Sequence, residues 1–112
     1  MTDVKVKKFN DCIVSVVCDG HTGYGVEGED IVCAGLSSVI QTALLGLLTV
    51  AKVNVKYKVD EAQGYLEMTL PDSLTIEERH DCNVILNTML CGVSDLRESF
   101  SDFINLEVNN VY

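Results

Sequence analysis

Basic residues are scarce in this chain: 8 Lys and Arg stand against 17 Asp and Glu in 112 residues, a net charge of −9. That balance argues against double-stranded nucleic acid as a partner, because binding it rests on neutralising phosphates with Lys and Arg. A basic protein or peptide suits such a surface better, although acidity also serves solubility alone. Histidine is limited to His21 and His80. The five cysteines (Cys12, Cys18, Cys33, Cys82, Cys91) are odd in number and contain no CxxC pair, so a disulfide framework is not indicated. Cys18, His21 and Cys33 come nearest to a zinc set, but without the close cysteine pairing of such sites. No metal and no cofactor are expected. The opening residues show no basic-then-apolar leader, so no secretory signal is read there and a cytoplasmic location is expected.

What is abundant is apolar: 47% of the residues are hydrophobic. A chain of this length forms one domain and buries roughly two-thirds of its unfolded surface. No linker, repeat or low-complexity segment divides it, so residues 1–112 are expected to be a single domain. The apolar run Ile31 to Val50 is long enough to raise a membrane span, but Ser37, Ser38, Gln41, Thr42 and Thr49 interrupt it. A buried core helix is the reading, and no membrane is expected as a partner.

Residues 2–9 alternate apolar and charged side chains, and residues 12–19 are rich in Val and Ile. Joined by Asn10-Asp11, they predict an antiparallel hairpin, with Cys12 and Cys18 on one strand face. Asp30 is placed to cap a helix over residues 31–51 that is apolar almost all round. Residues 53–59 and 65–70 predict a second hairpin, ended by Pro71. Thr75-Ile76-Glu77-Glu78 has capping-box spacing. The stripe Cys82, Ile85, Leu86, Met89, Val93, Leu96, Phe100 follows at helical steps. Residues 103–108 predict a last strand. The order β-β-α-β-β-α-β gives an α+β fold, a mostly antiparallel sheet packed with two helices.

Chemistry concentrates in residues 20–33. Four glycines (Gly20, Gly23, Gly25, Gly28) surround His21, and Cys33 follows in the first predicted turn of the helix. A thiol there feels the positive end of the helix dipole, which favours the thiolate, and a histidine across a glycine loop can fold back as its partner. Cysteine on an apolar helix is also commonly inert packing, and spacing alone leaves both readings open. Cys12, Cys18, Cys82 and Cys91 read as packing residues, Cys82 and Cys91 on or near the packed side of the second helix. His80, among Glu77, Glu78, Arg79 and Asp81, reads as solvated. Cys33, Ser37 and Gln41 share one helix face and should meet a cleft or bond within the core. Gly23-x-Gly25-x-x-Gly28 has dinucleotide-loop spacing, but no parallel β-α-β unit is predicted around it, no GK[ST] follows, and Glu27, Glu29 and Asp30 would repel phosphates.

Gly20-His21, Tyr24-Gly25, and Gly28-x-Asp30-Ile31-Val32-Cys33-Ala34 with Ser37 together resemble the signature of the ribosomal-processing cysteine protease family. The likeness extends to the strand order, Gln41-Thr42 and Tyr65-Leu66, and so covers nearly the whole chain. It implies a peptidase that removes the short N-terminal extension of a bacterial large-subunit ribosomal protein. Cys33 would be the nucleophile and His21 its partner, supported by Gly20, Gly23, Gly25, Gly28, Asp30 and Ser37. It also implies a homodimer. Thr22 and Gly35 depart from the alanines common in that family; neither is a reacting group. Asp30 has two open roles, capping the helix or orienting His21, and the oxyanion donors are unassigned. Glu27 and Glu29 are candidates to contact a basic tail. The alternatives are a non-catalytic module that binds a ribosomal protein or assembly factor, and a redox sensor at Cys33, for which no resolving cysteine lies nearby in sequence.

Overall fold

The computed structural model describes residues 1–20 and 29–111. β1 (Thr2–Phe9) and β2 (Cys12–Gly20) form the expected hairpin. Its turn is Asn10-Asp11, with φ of 50° and 64°. Both lie in the left-handed region that two-residue hairpin turns require and that Asn and Asp tolerate best after Gly. α1 (Glu29–Leu45) follows, continuing as a π-helical turn through Val50. Lys52, at φ 56°, then reverses the chain. β3 (Lys56–Asp60) and β4 (Tyr65–Thr69) make the second hairpin, α2 (Ile76–Ser99) crosses back, and β5 (Ile104–Asn110) closes the sheet.

The sheet order is β3-β4-β2-β1-β5, antiparallel everywhere except the parallel β1–β5 edge. Because β4 is antiparallel to both neighbours, β3 runs parallel to β2, so β2-α1-β3 is a split crossover. β4-α2-β5 is another. Parallel β-α-β connections are therefore present, against the expectation, although each skips over at least one strand.

The helices cover one face. Val4, Val6, Val16, Cys18, Leu66, Met68 and Ile104 from the strands share a core with Val32, Leu36, Ile40, Leu44 and Leu47 of α1 and its π-helical extension, and with Cys82, Leu86, Met89 and Val93 of α2. Burying such a side chain contributes about 1.5–3 kcal/mol. Thr75 caps α2 in a reciprocal capping box with Glu78. Two bonds per box satisfy amides that the helix start leaves free.

Four expectations change. The hydrophobic segment Ile31–Val50 is long and apolar enough to cross a membrane. It is nonetheless packed on one side only: Ile31 is 79% exposed and Val50 77%, so it is amphipathic rather than buried all round. Residues 53–55 precede β3 unpaired, although Val53 and Val55 are buried. Cys12 and Cys18 do not share a face. The register steps from Lys7↔Ser15 to Lys8↔Ile13, a bulge at Val14 that puts Ile13 and Val16 both inward and turns Cys12 the other way. Finally, Cys82 is buried but Cys91 is exposed, since nine residues are about 2.5 helical turns and land on the opposite side.

Candidate active site

In α1, Cys33 follows at least four helical residues, Glu29 to Val32. Asp30 accordingly lies inside the helix and not at its N-cap. The dipole's influence is concentrated in a helix's first turn, so it acts on Cys33 less directly than spacing suggested. Cys33 faces the sheet, 6% exposed, where its Sγ lies 3.0 Å from Thr2 Oγ1.

Thr2 is held there by the β1 ladders. It pairs with Gly20 on β2 and Ile104 on β5, and its amide donates to the Phe103 carbonyl at 2.8 Å. Gly20 closes the other side. A Cβ at Gly20 would stand 3.0 Å from Thr2 Oγ1 and 3.2 Å from Thr2 Cγ2, so the threonine side chain occupies the space a larger residue would need. The Gly20 amide donates to the Gly64 carbonyl at 2.8 Å, tying the end of β2 to the β3–β4 turn, where Gly64 has φ 63°.

A cleft of about 420 Å³ opens at this point, walled by Cys18, Cys33, Ser37, Gln41, Asp60, Glu61 and Tyr65 among others. The stripe Cys33, Ser37, Gln41 does meet a cleft. Tyr65 donates to Glu67 Oε2 at 2.7 Å, and that bond, with smaller contributions from burial and neighbouring carboxylates, raises its pKa. Burial, then the charge of Cys33 and that of Asp19, pushes the Cys18 thiol up to about 12. Cys18 thus stays protonated at neutral pH and does not compete as a nucleophile.

Of the residues read from the sequence, Gly20, Cys33 and Ser37 converge on this cleft or its edge. His21, Gly23, Gly25 and Gly28 lie outside the described residues, as do Thr22, Tyr24, Val26 and Glu27. Asp30 is described for its place in the helix alone. Sequence reading missed Thr2 and the role of Cys18. Thr2 was within reach of the hairpin register, had the bulge at Val14 been anticipated. Among the described residues no cluster of three or more His, Cys, Asp or Glu could hold a metal.

The family model for the cysteine protease Prp matches residues 1–105. The chain belongs to this family. It is a cysteine protease. Curated relatives named "Ribosomal processing cysteine protease Prp" include that of Bacillus subtilis (strain 168), 25% identical and covering 97% of this chain and 98% of the relative. That of Staphylococcus aureus (strain Mu50) is 31% identical, covering 84% and 85%. A Streptococcus mutans crystal structure superposes with a TM-score of 0.86 at 25% identity, covering 99% of this chain and 96% of the other. The S. aureus Prp structure in complex with a substrate peptide superposes at 0.85 and 24% identity, covering 96% and 99%. The same enzyme with a covalently linked product peptide gives 0.80 at 25%, again covering 96% and 99%. The Prp fold thus agrees with the α+β sheet and two helices read from the sequence.

Proposed function

We propose that this protease removes the N-terminal extension of a bacterial large-subunit ribosomal protein, with Cys33 as nucleophile and His21 as its proton partner. The observation that carries the reading is the place of Cys33: the residue forms part of the wall of a cleft of about 420 Å³, large enough for peptide side chains. The ribosomal-processing names of the relatives and the peptides bound to the S. aureus enzyme support the substrate class.

In this mechanism the Cys33 thiolate attacks the scissile carbonyl carbon, forming a C–S bond and an oxyanion. Collapse of that intermediate breaks the C–N bond, and His21 as imidazolium protonates the leaving amine. Water, deprotonated by His21, then attacks the thioester carbonyl; the C–S bond breaks, the N-terminal fragment leaves as its carboxylate with loss of a proton to solvent, and the thiolate–imidazolium pair is restored. Backbone amides near the helix start are candidate oxyanion donors. Gly20, Gly23, Gly25, Gly28, Asp30 and Ser37 support the site in this reading. Asp60 and Glu61, on the cleft wall, give an acidic approach for a basic tail, and Glu27 and Glu29 are further candidates from the sequence alone. The enzyme works in the cytoplasm as a homodimer, without a metal or other cofactor.

The test is mass analysis of the precursor ribosomal protein after incubation with wild type, Cys33→Ala and His21→Ala. The expected result is loss of one N-terminal segment with wild type alone. Cleavage by Cys33→Ala at the wild-type rate would overturn the assignment.

A further inference from the structure

We propose that the Thr2 hydroxyl donates a hydrogen bond to the Cys33 thiolate and so sets the reactivity of the nucleophile. The inference rests on Cys33 being the nucleophile.

Thr2 is the one polar residue that is buried among the described residues, 2% exposed. A hydroxyl taken out of water without a partner is costly, so a buried one is expected to be bonded. The Thr2 amide is engaged with Phe103, and the contact at its Oγ1 is the Cys33 Sγ at 3.0 Å. Two directions are open to that bond. A thiol is a weak donor and a weak acceptor, whereas a thiolate is a charged acceptor and accepts strongly from O–H. When Cys33 ionises, only the O–H to S⁻ direction remains. The bond therefore strengthens on ionisation and stabilises the thiolate selectively.

The rest of the site keeps that bond in place. Threonine is stiff at χ1, its backbone is fixed between β2 and β5, and Gly20 leaves the space its Oγ1 and Cγ2 fill. Nothing else described around the sulfur supplies a comparable stabilisation. Cys18 on β2 is a protonated thiol with Asp19 beside it in sequence, and the charged groups on the cleft wall (Asp60 on β3, Glu61 in the β3–β4 turn) are carboxylates, which donate no hydrogen bond when ionised. Tyr65 on β4 also lines the cleft, but its hydroxyl proton is committed to Glu67. With Cys33 past the first turn of α1, the hydroxyl supplies local help that the helix start gives only weakly.

Thr2→Val keeps the shape and removes the donor; Thr2→Ser keeps the donor. Iodoacetamide alkylation of Cys33, followed site by site through peptide mass mapping across pH 5–10.5, separates their effects without requiring peptidase activity. Losing a hydrogen bond to a charged sulfur should move the Thr2→Val profile to higher pH by about one unit. A more basic thiolate is also the better nucleophile, with a sensitivity of about 0.4–0.5. The two profiles should therefore cross: Thr2→Val about threefold slower at neutral pH and about threefold faster on the alkaline plateau. Thr2→Ser should follow wild type. A merely structural role would scale the whole profile without a crossing. Parallel profiles for wild type and Thr2→Val, or a Thr2→Ser profile matching Thr2→Val, would overturn the proposal. If Cys33→Ala still cleaves the precursor while the alkylation profiles cross, the hydrogen bond stands and the nucleophile assignment fails.

Discussion

Substituting Gly20 by Ala should disturb the candidate nucleophile through Thr2, whose side chain fills the space above the glycine. The added Cβ would lie 3.0 Å from Thr2 Oγ1, 3.2 Å from Thr2 Cγ2 and 3.5 Å from the Gly64 carbonyl oxygen. The last contact is ordinary; the first two need Thr2 to give by a few tenths of an ångström. Thr2 has little room to do so. Its backbone is paired on both sides, its amide is bonded to Phe103 at 2.8 Å, and its hydroxyl is 3.0 Å from Cys33 Sγ. Overpacking of this kind costs about 1–3 kcal/mol, a sizeable part of the roughly 5–15 kcal/mol that holds a domain folded. Urea unfolding reads it as a lower midpoint at unchanged slope. Removing the obstructing side chain supplies the control. In a Thr2→Ala background, Gly20→Ala should cost far less, giving a coupling of about 1–3 kcal/mol in the double-mutant cycle. Stability would recover in the double variant, but Cys33 reactivity would not, because the hydroxyl is gone. A Gly20→Ala protein as stable as wild type, or an equal cost in both backgrounds, would refute the packing argument.

Three further outcomes follow from the same geometry. A Cβ added at Gly35 on α1 would meet nothing within 4 Å, so Gly35→Ala should raise stability by about 0.5–1 kcal/mol in urea unfolding with cleavage unchanged. Alkaline stability should reflect Cys18, whose thiol is raised from 9.0 to about 12 in the fold. Above pH 9 the unfolded chain releases that proton and the folded one keeps it, so stability is full below pH 9 and falls as pH rises toward 12. Cys82 and Tyr65, also raised, act in the same direction, so Cys18→Val should flatten only part of the fall. If acidic residues draw in a basic tail, kcat/KM for a precursor peptide should drop between 50 and 500 mM salt, over which the Debye length shrinks about threefold. Glu61→Gln, on the cleft wall, should lessen that drop, and salt-independent cleavage would refute the steering.

Much of the fold was legible because local chemistry agreed with the tertiary arrangement. Asn10-Asp11 suits a tight hairpin, Thr75 and Glu78 make their box, and the stripe from Cys82 to Val93 is buried at helical spacing. The misses share a different origin. The bulge at Val14 is one residue with no strong signature, yet it reverses the face of everything before it, which is why Cys12 does not join Cys18. An apolar helix of twenty residues reads as buried all round because composition does not tell which side meets the sheet. The site divides likewise. Cys33, Ser37 and Gln41 are aligned by helical period, and the period suffices. Thr2 and Cys18 reach Cys33 only through strand register, a property of pairing between distant segments that no local pattern encodes.

At the centre stands the claim that the Cys33 sulfur forms the covalent bond to substrate. Rapid acid quenching of the enzyme with a precursor-tail peptide, followed by peptide mass mapping, measures it directly. The predicted result is an acyl group on Cys33 that carries the N-terminal fragment, appears within the first turnover and is absent from Cys33→Ala. An acyl group on another residue, or normal cleavage by Cys33→Ala, would contradict it.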